Sequence, residues 1–232
     1  MFMKKRICVK HRWSRDTAFK PLTHLCLGSP IIVEPKSKKL STSPIIKDLF
    51  DKTNIICVTG QMASGKNFVC SELEKMGWTS VDADCLVHKA IDNSTEEIVQ
   101  TFLPYTTQAK LQILTNDNKI DRKALGKLLF ENPHLLKKQE ELIYPKVIQM
   151  TEDFILQNKK AIINATVLYK IPHLLQRCQT IIYVKAPLLK RILRAKKRDN
   201  LPLKQIIARF NSQKNLFKEY KKSGIKIIII KN

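Results

Sequence analysis

Lys66 ends the glycine-bounded part of the run Gly60-Gln61-Met62-Ala63-Ser64-Gly65-Lys66-Asn67, which lies between an apolar stretch and a helical one. Two glycines five apart followed by a lysine suit a loop whose backbone N–H groups curl around a phosphate. The next helix then points its positive end at the same place. The lysine adds a full positive charge for the outer phosphates. A serine or threonine usually follows, placing a hydroxyl on Mg²⁺. Asn67 stands there instead, and its amide oxygen is a hard donor of the kind that cation accepts. Two carboxylates, Asp82 and Asp84, follow the next apolar stretch. They can draw a proton from a hydroxyl or hold a metal-bound water, or one of them can simply cap the next helix. Far along the chain, Arg194 and Arg198 share a helical face, where guanidinium groups can grip a phosphoryl group in transfer. Arg191 and Lys196 in the same stretch read as solvated charges.

Elements must bring these groups together. Residues 54–59 read as a buried strand, and 65–76 as a helix with Phe68, Val69 and Leu73 on one side. Residues 79–81 form a second strand that leads into Asp82-Ala83-Asp84. Alternation of strand and helix implies a parallel sheet covered by helices. Ligands of such sheets sit beyond the carboxyl ends of the strands, where the loop and the Asp pair fall. From 92 to 159 strand signals vanish. Helical periods cover 95–102, 121–130 (capped by Asp121) and 133–156 (bent at Pro145). Strands return at 160–164 and 180–184. A basic helix and an amphipathic helix over 203–217, with Ile206, Ile207 and Phe210 inward, come next. The last strand, 225–230, has no closing helix. The expected architecture is α/β, a three-layer parallel sheet. Its core is 53–91 and 160–232, with a basic helical lid at about 187–213 and a helical substrate-binding insertion at 92–159.

Residues 1–52 differ in composition, with 12 Lys or Arg against 4 Asp or Glu and four prolines. They read as a basic, disordered extension; a targeting peptide and a polyanion-binding arm are the other readings. The whole chain of 232 residues carries a net charge of +22, which attracts nucleotides, coenzymes or nucleic acids without choosing among them. No recognised nucleic-acid module is visible. No run approaches the ~18 apolar residues of a membrane span. Six cysteines lack any C-x-x-C pair, which suits free thiols in a reducing compartment and a cytoplasmic protein.

In order along the chain, these blocks resemble the dephospho-CoA kinase family of P-loop kinases. The family's T-G-G-I-G-S-G-K-S corresponds to residues 59–67, and its V-I-D-A-D to Ser80-Val81-Asp82-Ala83-Asp84. Its L-D-R-x-x-L-x-x-x-x-F corresponds to Ile120-Asp121-Arg122, Leu125 and Phe130. Its L-E-x-I-x-H-P falls on 139–145, its R-x-x-x-R-D on 194–199, and its A-R-I-x-x-Q on 208–213. The resemblance covers 54–232. It implies transfer of the γ-phosphoryl of ATP, with Mg²⁺, to the ribose 3′-hydroxyl of dephospho-CoA, the last step of coenzyme A synthesis. Asp84 would be the general base, and Lys66, Arg194 and Arg198 would act on the phosphoryl group. Gly60, Gln61, Met62, Ala63, Ser64, Gly65, Lys66, Asn67, Phe68 and Asn232 would bind ATP, with Asn67 as the metal ligand. Asp82, Asp84, Arg122 and Tyr144 would bind dephospho-CoA. The partner is thus a small molecule, with no specific nucleic acid and no membrane, and the protein a monomer or weak oligomer.

The departures are specific. Gln61 and Ala63 replace loop glycines, and Asn67 replaces the hydroxyl residue. Tyr144 stands for His, Asn164 for an aspartate, and Lys170 for an acidic residue. The sequence ends at Asn232, where the family continues. Departures at Asn67, Asn164 and the short C-terminus are expected to weaken activity. Another P-loop nucleoside or nucleotide kinase, and a degenerate non-catalytic polyanion-binding protein, stand as alternatives.

Overall fold

The computed structural model describes residues 31–33, 40–108, 112–199 and 202–232. Six strands, β1 (Ile31–Val33), β2 (Ile55–Thr59), β3 (Thr79–Asp82), β4 (Ala161–Asn164), β5 (Thr180–Lys185) and β6 (Lys226–Lys231), form one sheet. Its order is β1-β6-β5-β2-β4-β3, and every neighbouring pair is parallel. The central strands are apolar on both faces because both faces are covered. Alternate residues part accordingly. Ile56, Val58, Ile162, Ile182, Ile228 and Ile230 join one core cluster, whereas Cys57, Ile163, Ile181, Ile227 and Ile229 join the other.

Helix α1 (Pro44–Lys52) and helix α2 (Lys66–Glu74) supply the first cluster. Residues 44–52, which fall within the extension expected to be disordered, instead form a helix packed in the core. Leu40, Ile46 and Leu49 are buried against α2 and the sheet, and Pro44 occupies the first helical turn, where its missing N–H costs nothing. Lys160 Nζ donates to the carbonyls of Phe50 and, at 2.7 Å, Thr53, and lies over the rings of Phe50 and Trp78. The signal was weak because one buried helix turn, Ile46 and Leu49, sits among lysines and prolines. Most of the expected targeting or polyanion arm, 1–30 and 34–39, lies outside the described residues.

Helices α3 (Ala83–Asp92), α4 (Thr95–Gln108), α5 (Arg122–Glu131) and α6 (Pro133–Gln157) follow β3. They pack around their own core of Leu86, Ile98, Phe102, Leu125, Leu135, Ile143 and Val147. Asp121 caps α5, accepting from Lys123 N at 2.9 Å and Ala124 N at 3.1 Å. Helix α6 runs on through Pro145. Helix α7 (Pro172–Arg177) precedes β5, and α8 (Leu188–Asp199), α9 (Leu203–Ser212) and α10 (Leu216–Lys221) follow it. The single helix expected over 203–217 is thus two. Ile206 and Phe210 are buried, while Ile207 is exposed. Around the final strand, β1 pairs along the outer edge, and Leu216 and Tyr220 of α10 cover one face while α1 joins the cluster on the other.

Candidate active site

The loop between β2 and α2 has little room for side chains where it matters. A Cβ at Gly60 would collide with the Val184 carbonyl oxygen. Gly65 has φ 98°, and a Cβ there would collide with the Asn232 amide. Ala63 is the exception, an L-residue held at φ 59°. Lys66 Nζ folds back to the Gly60 carbonyl at 3.3 Å. Burial pushes its pKa down, and the carboxylates of Asp84 and Asp82 pull it back up. A cavity of about 520 Å³ opens above the start of α2, lined by Ala63, Gly65, Lys66, Asn67, Arg194, Lys197 and Arg198. Backbone donors at a helix start and four cations favour one class of occupant, a polyphosphate. Lys197 was not singled out from the sequence.

On the far side of Lys66, Asp82 ends β3 and caps α3, its Oδ1 accepting from Asp84 N at 2.9 Å. The capping reading is correct for Asp82, yet its other oxygen faces Asn164. Asp84, in the first turn of α3, is open to solvent at the cleft. Surrounding protein still raises its pKa through burial first and Asp82 second, against Lys66 and His88. Asp84 also borders a second cavity of about 280 Å³ with walls including Val87, Ile143, Val147 and Leu168. Tyr144 lies there, its pKa raised by burial and by Glu140. So does Lys170, paired with Glu140 at 2.6 Å. A flat or flexible apolar ligand with a hydroxyl toward Asp84 would fit this geometry.

Between the two cavities sits a small polar set. Asn164 Nδ2 donates to Asn67 Oδ1 at 3.0 Å and to Asp82 Oδ2 at 3.5 Å, and Asn164 Oδ1 is buried with no hydrogen-bond partner. Asn67 Oδ1 and Asp82 Oδ2, held together by Asn164 Nδ2, are hard oxygen donors beside the phosphate loop and fit a hydrated Mg²⁺ that also leans on substrate phosphates. Among the described residues no cluster of three or more His, Cys, Asp or Glu is placed to hold a metal.

The other expected site residues divide. Arg194 Nη1 reaches Ser64 O at 3.3 Å. Arg198 is held by its neighbour Asp199 at 2.6 and 2.9 Å. Asn232 Nδ2 donates to Ser64 O at 3.0 Å, and Asn232 also borders a groove with Lys185, Pro187 and Lys190. Phe68 is half-exposed while Val69 and Leu73 are buried, so the three do not share one side of α2 as expected. Arg122 pairs with Asp92 at 3.6 Å and is not among the residues lining the cavity beside Asp84. Arg191, read from sequence as solvated, is 6% exposed. It donates to Met62 O at 3.0 Å and Gln61 Oε1 at 2.7 Å. Its i, i+3, i+7 spacing with Arg194 and Arg198 was the available signal.

A sequence model of the family Dephospho-CoA kinase matches residues 54–232. The chain belongs to the dephospho-CoA kinase family. The Dephospho-CoA kinase of Treponema denticola is 34% identical over 184 residues, 77% of this chain and 82% of that one. That of Treponema pallidum is 31% identical, covering 70% and 79%. A solved Thermus thermophilus structure superposes with a TM-score of 0.63 at 25% identity, covering 77% and 88%. The Dephospho-CoA kinase from Campylobacter jejuni superposes at 0.50 with 29% identity and the same coverage. The three-layer parallel-sheet fold of P-loop kinases is thereby established, and with it a kinase that uses a nucleotide and acts on a small molecule. Residues 31–33 complete the sheet edge and residues 40–52 add to one core, and both lie outside the part matched by the dephospho-CoA kinase family.

Proposed function

We propose that this chain transfers the γ-phosphoryl group of ATP to the ribose 3′-hydroxyl of dephospho-CoA, releasing coenzyme A and ADP. The observation that carries the reading is the position of Asp84 between the cation-lined cavity and the apolar one. The loop amides, Lys66 and the α2 N-terminus hold the triphosphate. The acceptor packs in the apolar cavity with Tyr144 at its wall. Asp84 takes the hydroxyl proton as the oxygen attacks; the bond from the γ-phosphorus to the β,γ-bridging oxygen breaks, and ADP leaves. Arg194 and Arg198 neutralise charge on the transferring group. Arg198 must leave Asp199 to do so, and Asn232 reaches the nucleotide through the loop. Asp82 orients Asp84 by capping α3, and Arg122, which does not line the cavity, would meet the acceptor only on leaving Asp92. Asn67 and Asp82, positioned by Asn164 Nδ2, would hold Mg²⁺, which supplies charge neutralisation on the phosphates.

The core, helical insertion and lid act as three working parts of a cytoplasmic monomer or weak oligomer that needs neither nucleic acid nor membrane. Among the described residues no helix is long and apolar enough to cross a membrane. ADP release should require dephospho-CoA and fail with adenosine, AMP or uridine as acceptor. Release with one of those and not with dephospho-CoA would replace this reading by that of a nucleoside or nucleotide kinase.

A further inference from the structure

Two positions of the phosphate loop that resemble family glycines carry side chains here, Gln61 and Ala63. Ala63 sits at φ 59°, a left-handed conformation that an alanine holds only when its surroundings over-determine it. The residue just before it, Met62, is gripped at both backbone groups. Its N–H donates to Gln213 Oε1 at 2.6 Å, and its carbonyl accepts from Arg191 Nε at 3.0 Å. Gln61 closes the circuit. Its Oε1 accepts from Arg191 Nη1 at 2.7 Å, and its Nε2 donates to Gln213 O at 3.0 Å. The Arg191 guanidinium lies 4.1 Å over the Phe210 ring, and Met62, Ala195, Ile206 and Phe210 bury one another beneath it.

We infer that Arg191, Gln61 and Gln213 form a clasp of positioning residues that locks the strained phosphate loop to the base of the lid. The clasp joins α8, the end of α9 and the loop through four hydrogen bonds. It leaves Arg194 and Arg198, one and two turns further along α8, over the phosphate cavity. A lysine cannot replace Arg191, because one ammonium group does not reproduce the fixed two-point fork of a guanidinium.

The test compares the full chain with Arg191→Lys, Gln61→Gly and the double variant Gln61→Gly/Ala63→Gly. Hydrogen exchange at loop amides 61–64 reads the clasp with no ligand present. Calorimetry with MgATP reads its consequence. Arg191→Lys and Gln61→Gly should each speed exchange at Met62 at least tenfold, leave β2 and β5 amides protected, and weaken MgATP at least fivefold. Adding Ala63→Gly to Gln61→Gly should recover at least half of the lost affinity on a logarithmic scale, because glycine holds the left-handed turn unaided. A role in bulk stability alone predicts no such recovery. Unchanged exchange at Met62, or a glycine at 63 that deepens the loss, overturns the clasp. A parent protein that binds no MgATP would instead sink the proposed function, with exchange still judging the clasp.

Discussion

At the residue scale, the site depends on which groups stay charged. Lys66→Ala should lower phosphoryl transfer by about 10²–10³-fold, the typical cost of losing a preorganised charge-stabilising donor, with an unchanged far-ultraviolet circular dichroism spectrum. Asp84 serves as a base only when ionised. Its raised pKa places the acid limb of the kcat/KM profile above the ordinary carboxylate value. The sign for stability is opposite. The folded state holds the Asp84 proton more tightly than the unfolded chain, so this contribution is present at low pH and is lost as pH rises through the folded pKa. Asp84→Asn should therefore abolish turnover yet melt no lower than the parent at pH 7. Asn164→Asp should tighten Mn²⁺ binding to the nucleotide complex several-fold, read by electron paramagnetic resonance, because it adds a carboxylate beside Asp82; weaker binding would exclude Asn164 from the metal site. The phosphate loop and the Asp pair were legible because chain neighbours carry their chemistry. Arg191 and Gln213 were not, since their roles exist only once α8 and α9 fold over the loop.

At the element scale, alternation and capping made most strands and helices readable. Asp121 announced α5 from the sequence, and the short apolar runs 161–163 and 181–184 announced β4 and β5. The break between α9 and α10 was hidden by an unbroken amphipathic period, though α10 has a task of its own. Tyr220 is fully buried. Its hydroxyl accepts from Leu168 N at 2.9 Å and donates to Thr166 O at 3.2 Å, pinning the loop that forms one wall of the acceptor cavity. Tyr220→Phe leaves those groups unpaired and should cost about 1–3 kcal/mol in urea unfolding. The KM for dephospho-CoA should rise as well, with the KM for ATP little changed. A loss of stability with both constants unmoved would mean the loop wall is not shaped by α10.

At the scale of the whole molecule, the segment that composition set aside as an extension completes the fold. Ile46 has no exposed surface and packs with Val58, Val69 and Ile230 beneath the phosphate loop. Ile46→Ala should destabilise by about 2–5 kcal/mol. Removing residues 1–52 should lower the urea midpoint further than removing 1–30, and an equal midpoint for the two would show that α1 contributes nothing. Sequence patterning missed this because β1 and α1 are short, and β1 pairs with a strand far along the chain, as Ile31 beside Ile228 shows, while α1 gains its stability from a core shared by β2, α2 and β6. All three scales converge on one reaction. ³¹P nuclear magnetic resonance of dephospho-CoA incubated with the protein and MgATP should reveal a new phosphomonoester on the ribose 3′-oxygen, growing in step with ADP and absent with Asp84→Asn. ATP consumed without that resonance, or the same product from Asp84→Asn, would contradict the account.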